Sequence, residues 1–225
     1  MPKYFASDLS RSVEDYLKII YHLTEAGNSA STNDIADALD LTPPSVSGMI
    51  KRLAEAGLLE HLPYKGVTLT PDGRQAALRM LRRHRVIETY LVSHLGYTWD
   101  SVHDEAEQLE HAVSEDLVER MSRALGHPRF DPHGDPIPAA DGRIAKINTT
   151  PLPEIAIGET VTIARVDTGA PDRLRWLADA GLVPGARVTM VELQPFNGPI
   201  TLSLKGDLRV VGRDLAQQIL CARTQ

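Results

Sequence analysis

Residues Thr32 to Gly57 read "TNDIADALDLTPPSVSGMIKRLAEAG". A Ser/Thr cap opens a short helix, "TNDIADALDL", and after "TPP" a second helix, "SVSGMIKRLAEAG", runs to Gly57, the residue type that ends helices. Upstream, "SVEDYLKIIYHL" repeats apolar residues at Val13, Tyr16, Leu17, Ile20 and Leu23 with helical spacing, until "EAGNSAST" breaks the pattern. Downstream, "LLEHLPYKG" and "VTLTPDG" carry the alternation and turn residues of a small hairpin. Three helices with a tight turn between the second and third, followed by a two-stranded wing, is the order of a winged helix-turn-helix. It is assigned to residues 1–71.

Beyond the wing, residues 72–96 read as one long helix, "DGRQAALRMLRRHRVIETYLVSHLG", and 99–125 as one or two more. Leu78, Leu81, Val86, Ile87, Tyr90 and Leu91 offer more apolar surface than a small winged domain can cover. Residues 72–140 are therefore expected to form an all-α dimerisation domain of a homodimer. Six of the 15 prolines lie between 128 and 153, and 141–154 reads as a linker. From 155 to 225 the strands "ETVTIARV", "ARVTMVEL", "ITLSLKG" and "LRVVG", with a helix "DRLRWLADAG" between the first two, suggest a small SH3-like β-barrel. The expected fold class is α+β.

The chain of 225 residues can bury a real core, and its apolar runs fall short of a membrane span. No apolar signal region opens it, so a cytoplasmic protein without a membrane partner is expected. The single cysteine, Cys221, excludes an internal disulfide framework and a multi-cysteine zinc site. A net charge of −6 is unevenly spread: residues 1–85 hold eleven Lys or Arg against ten acids, whereas 86–120 hold nine acids against one Arg. Bound cations would relieve that concentration of negative charge; a solvated acidic face is the alternative reading.

The helix after "TPP" is the candidate reader of double-stranded DNA. Thr42, Ser45 and Ser47 place hydroxyls at its start, Pro44 suits its first turn, and Lys51 and Arg52 follow a turn later. Lys65 at the wing tip is a further phosphate candidate. The acidic block contains "HDEAEQLEH", residues 103–111. If helical, it gathers His103, Glu107, Glu110 and His111 within an arc of roughly 100°, beside an apolar stripe of Ala106, Leu109, Ala112 and Val113. "RHRVIETY" places His84 and Glu88 one above the other at i and i+4, while Asp15 in "VEDYLK" and Asp131 and His133 in "DPHGDP" add further oxygen and imidazole donors.

"VEDYL", "TPPSVSGMIKRLAEAGL", "RHRVIETYL", "VHDEAEQLEHAVSEDLVER" and "GDPIP" together resemble the diphtheria-toxin-repressor, or iron-dependent regulator, family over most of residues 12–138. The resemblance implies a winged helix, a dimerisation and metal domain, and an SH3-like domain. Where the iron branch has a methionine and a cysteine, this chain has Asp15 and Glu107. By resemblance to the manganese branch, the primary site is Asp15, His84, Glu107, Glu110 and His111. Lys18 stands where some manganese regulators carry a second acid on the first helix, and Gly48 where some iron-branch members carry a base-contacting glutamine. For an ancillary site the family offers two patterns. One corresponds to His84, Glu88 and His103, and the other to Glu88, Asp131 and His133 with a barrel acid, for which Asp167 is the choice.

The resemblance thus implies a Mn(II)-activated homodimeric repressor that binds operator DNA and controls metal homeostasis, with no substrate and no enzymatic step. Hard oxygen and imidazole donors suit Mn(II), with Fe(II), Co, Ni, Cd or Zn as other ions such a site could take. Alternatives are an iron-responsive regulator of the same family and a metal-independent regulator that senses another ligand through the barrel. A metallohydrolase is not expected, because "HDEAE" lacks the H-E-x-x-H order.

Overall fold

Ser31 opens the helix-turn-helix with a capping box: its hydroxyl accepts from the Asp34 N–H, and the Asp34 carboxylate accepts from the Ser31 N–H. In the computed structural model, which describes residues 9–25, 27–62 and 65–223, this cap starts α2 (Thr32–Leu39), between α1 (Arg11–Thr24) and α3 (Pro43–Glu55). Asp40 takes left-handed geometry, φ 53°, and turns the chain into α3. Tyr16, Leu17 and Ile20 of α1, Ile35 of α2, and Val46, Ile50 and Leu53 of α3 are buried. Burial of each large aliphatic side chain contributes about 1.5–3 kcal/mol.

Strands β1 (Leu59–Leu62) and β2 (Gly66–Leu69) pair antiparallel as the wing. Val67 also exchanges two backbone hydrogen bonds of 2.9 Å with Ala30, tying the wing to the segment before α2. This close approach explains Gly66, whose φ is +112° and whose hypothetical Cβ would lie 2.1 Å from the Ala30 carbonyl oxygen.

The backbone separates into two compact units, residues 1–83 with 138–143 and residues 84–137 with 144–225. Helix α4 (Pro71–Leu95) contributes to both, and α5 (Val102–Leu109) and α6 (Glu115–Ala124) belong to the second. The residues expected to await a dimer partner are already covered. Leu78, Leu81, Val86, Ile87 and Leu91 are at most 4% exposed in a single chain. In the second unit Ile87 and Leu91 pack with Val102 and Ala106, and Val86 packs with Val118 and Ile137. Leu95, Leu117 and Phe130 are the exposed apolar side chains of this helical region.

The C-terminal part of the second unit is one antiparallel sheet. Its strands are β3 (Thr150–Pro151), β4 (Thr160–Val166), β5 (Arg187–Leu193), β6 (Ile200–Leu204), β7 (Asp207–Val211) and β8 (Ile219–Arg223), in the order β3-β8-β4-β5-β6-β7. Helix α7 (Pro171–Asp179) and the short α8 (Arg213–Gln217) complete it. The expected linker therefore ends at Thr150: β3 joins the sheet, and Leu152 in the following 3₁₀ turn is buried in the barrel core. Strand β8 and helix α8 have no counterpart in the sequence reading. Among the described residues no helix is long and apolar enough to cross a membrane.

Candidate functional site

Helix α5 ends two residues before the sequence pattern does. It ends at Leu109, and Glu110 keeps right-handed helical geometry, donating its N–H to the Ala106 carbonyl at 2.9 Å. His111 lies in the turn that follows. This ending aims the fully buried Glu110 carboxylate back at α4, where its Oε2 is 2.5 Å from His84 Nδ1. The other ring nitrogen of His84, Nε2, is 2.9 Å from Glu88 Oε1. Each imidazole nitrogen thus faces a carboxylate, an arrangement satisfied by a doubly protonated ring that donates on both sides.

Around this pair the remaining donors close in. Glu107 Oε1 lies 3.9 Å from His84 Nδ1 and 3.7 Å from His103 Nε2; His103 Nδ1 lies 3.4 Å from Glu88 Oε1; and His111 Nε2 lies 3.6 Å from Glu110 Oε1. Three overlapping sets each offer one atom per residue within 4.8 Å of the others: His84, Glu107 and Glu110; His84, Glu88 and His103; and Glu88, Asp131 and His133. Four of the five primary candidates thus meet in the second unit. The fifth, Asp15, is half-buried on α1, an element of the first unit.

The third set depends on the turn 131–136. Asp131 Oδ1 accepts from the backbone N–H groups of His133 and Asp135 at 2.8 and 2.9 Å, which folds "DPHGD" around the carboxylate. His133 Nε2 donates to the Trp99 carbonyl at 2.7 Å. A carbonyl can only accept, so the contact leaves Nδ1 as the ligating nitrogen of the neutral ring. That atom lies 3.8 Å from Glu88 Oε2 and 4.0 Å from Asp131 Oδ1.

The electrostatics fit a cation. Burial pushes the Glu88 carboxyl up, but hydrogen bonds from His103 and His84 and the charges of His84 and His133 outweigh it. The group is held well below the usual carboxylate range. Asp131 is shifted the other way: burial, then the negative charges of Asp135 and Glu88, push it up to about 7 despite Arg85 and His133. A buried acid raised by neighbouring acids is what a divalent cation would reverse.

Asp167 is not among these sets. It is exposed, and its Oδ1 accepts from Arg165 Nη2 at 2.9 Å. Residues two apart at the end of β4 share a side of the strand, so Arg165 is the nearer partner. Sequence reasoning also missed Arg85, Asp135 and Arg165, which hold the 131–136 turn. Arg85 was visible inside "RHRVIE" and Asp135 inside "DPHGDP", but nothing local marks either as a support.

In the first unit, Val46, Ile50 and Leu53 occupy the buried arc of α3, and Pro44, Ser45, Ser47, Lys51 and Arg52 the exposed one. The Thr42 and Ser45 hydroxyls lie 3.0 Å apart, and Ser47 donates to the Pro43 carbonyl at 2.9 Å. Ser47 retains its acceptor lone pairs on the surface. Lys65 is exposed on the wing, its carbonyl bonded by the Ser29 hydroxyl at 2.6 Å. Hydroxyls at the start of a helix and cations a turn later suit base-edge and phosphate contacts.

Comparison with known proteins gives three family matches along the chain. They are the N-terminal DNA-binding domain of iron-dependent repressors over residues 8–67, their metal-binding and dimerisation domain over 70–139, and an FeoA domain over 150–223. The iron-dependent repressor IdeR of Mycobacterium tuberculosis is 33% identical over 216 residues, covering 89% of this chain and 91% of its own. A solved manganese-dependent transcriptional repressor in complex with manganese superposes with a TM-score of 0.87 at 41% identity, covering 93% of this chain and 99% of its own. The apo form of the manganese-activated repressor ScaR gives 0.78 at 34% identity, covering 93% and 100%.

Proposed function

The chain belongs to the iron-dependent repressor family of metal-dependent transcriptional repressors, and on that premise we propose that it is a Mn(II)-activated homodimer that represses genes of manganese uptake and homeostasis. The observation that carries the metal assignment is the donor set. His84, Glu88, His103, Glu107, Glu110, His111, Asp131 and His133 supply only carboxylate oxygen and imidazole nitrogen. The chain's one cysteine is buried in the barrel core. Hard donors without thiolate or thioether suit Mn(II).

His84, Glu107, Glu110 and His111, with Asp15 from α1, form the proposed primary set. Glu88, Asp131 and His133 form the proposed ancillary set, with His103 beside them. When bound, the metal neutralises carboxylates that otherwise repel one another. The protein's own part is to hold the donors in place: the Ala106 carbonyl fixes the Glu110 backbone, and the Trp99 carbonyl fixes the His133 tautomer. The outcome is regulatory, with no bond made or broken on a substrate. Metal and operator then strengthen each other's binding by the same factor.

A second reading, an iron-responsive regulator, is favoured by the compact His84, Glu88 and His103 set and by the similarity to an iron-dependent relative. Fluorescence anisotropy of genomic operator candidates, titrated under Mn(II), Fe(II), Co(II), Ni(II), Cd(II), Zn(II) or chelator, separates these readings. Tight binding with Mn(II) and none with chelator is expected. A response to Fe(II) alone supports the second reading, and binding that survives EDTA points to a different signal entering through the barrel.

A further inference from the structure

We propose that Arg165, on β4 of the barrel, is a positioning residue for the ancillary ligands Asp131 and His133, acting through Asp135. The barrel then serves the site by holding the ligand-bearing turn. The proposal rests on the metal-binding reading above and deepens it.

Six contacts, from Arg165, Arg85, Val166 and Ala164, join the turn to its surroundings. Arg165 Nε lies 2.9 Å from Asp135 Oδ1, an ion pair with both side chains mostly covered. The same Oδ1 lies 3.4 Å from Nη2 of the buried Arg85, whose Nε is 3.5 Å from Asp131 Oδ2 and whose Nη1 donates to the Pro136 carbonyl at 2.7 Å. The Val166 N–H donates to the His133 carbonyl at 2.9 Å. Finally, Gly134, at φ +90°, presses on β4 so closely that a Cβ there would sit 2.0 Å from the Ala164 carbonyl oxygen.

Arg165, Asp135, Arg85 and Asp131 therefore form an alternating chain of charges from the barrel to a ligand. Asp135 is shared by two cations. Without Arg165 it keeps only Arg85, which is also the cation facing Asp131, so the orientation of that ligand changes. Loss of outer groups that orient metal ligands typically costs ten- to a hundred-fold in affinity. Asp167 enters this chain only as a second partner of Arg165, 2.9 Å from Nη2.

The test is Mn(II) binding by full-length protein without DNA, read as free Mn(II) by electron paramagnetic resonance. Co(II) ligand-field absorption reports ligand geometry, and thermal unfolding reports the fold. Arg165→Ala and Asp135→Asn should weaken one class of Mn(II) site by about ten-fold or more, and change the Co(II) spectrum. The other class of site should keep its affinity. The exchange of charges, Arg165→Asp with Asp135→Arg, should recover part of the loss, which removal of a generic structural contact would not.

An Arg165→Ala or Asp135→Asn isotherm that superimposes on wild type overturns the proposal and leaves the metal-dependent reading intact. If Arg165→Ala unfolds, the exchange variant decides: no recovery overturns it. Wild-type protein that takes up no Mn(II) overturns both readings.

Discussion

Replacing His84 by alanine in the metal-free protein removes the group that lies between two buried carboxylates. Glu110 has a side chain 0% exposed and Glu88 one that is 3% exposed, at 2.5 and 2.9 Å from the two ring nitrogens. Neither carboxylate can turn to water, so the substitution takes from each buried charge its nearest imidazole partner. Breaking a buried pair from one side costs about 3–5 kcal/mol. His103 remains 3.4 Å from Glu88 and His111 3.6 Å from Glu110, and both soften the loss, which places the expected value near the lower end, about 3 kcal/mol. The double variant His84→Ala with Glu110→Gln should cost less than the sum of the two singles, because the second change removes a charge whose nearest partner the first one takes away. Urea unfolding in EDTA, followed by tryptophan fluorescence, is the assay: both tryptophans, Trp99 and Trp176, lie in the second unit with the site. A loss under about 1 kcal/mol, or strict additivity in the double variant, would refute the claim that His84 neutralises the buried acids.

Lys51→Ala and Arg52→Ala should weaken operator and random-sequence binding alike and lower the salt slope by about one each, whereas Ser45→Ala and Ser47→Ala should change sequence preference; anisotropy against salt and a base-substituted operator set checks both. Asp15→Met with Glu107→Cys should shift the metal response from Mn(II) toward Fe(II), Co(II) or Ni(II), read as operator binding under each ion. Burial pushes the Cys221 thiol up to about 12, so it should resist a disulfide exchange reagent until the barrel unfolds. Its folded pKa lies above the unfolded value, so the stability it contributes is complete below about pH 9 and lost as pH rises toward about 12, which urea titrations at increasing pH would show.

The winged-helix segment was legible because each element carries its own punctuation: the Ser31 cap, Pro43 and Pro44 at a helix start, Gly57 at an end. The candidate donors stood out because His84 with Glu88 and His103 with Glu107 recur at helical spacing. The rest depends on contacts distant in sequence. Arg85 and Asp135 meet across 50 residues, and Arg165 reaches Asp135 from another domain, so no local pattern could nominate them. Asp167, the acid the sequence suggested, pairs here with Arg165, two residues away. The apolar face of α4 read as unpartnered because α5, α6 and the 131–137 turn, which cover Val86, Ile87 and Leu91, could not be placed from sequence.

Strand β8 lies between β3 and β4, although it follows every other strand in the chain. On a translating ribosome β4 therefore lacks one of its two neighbours until β8 has cleared the exit tunnel, and pairing across such separations is slow. The winged helix, made of neighbours in sequence, has no such wait. A nascent chain would thus own a DNA-reading helix before it owned the surface that steadies Asp131 and His133. The barrel's hold on that turn arrives last, and a chain stalled or clipped before Ile219 would keep the winged helix while lacking the completed sheet behind Arg165.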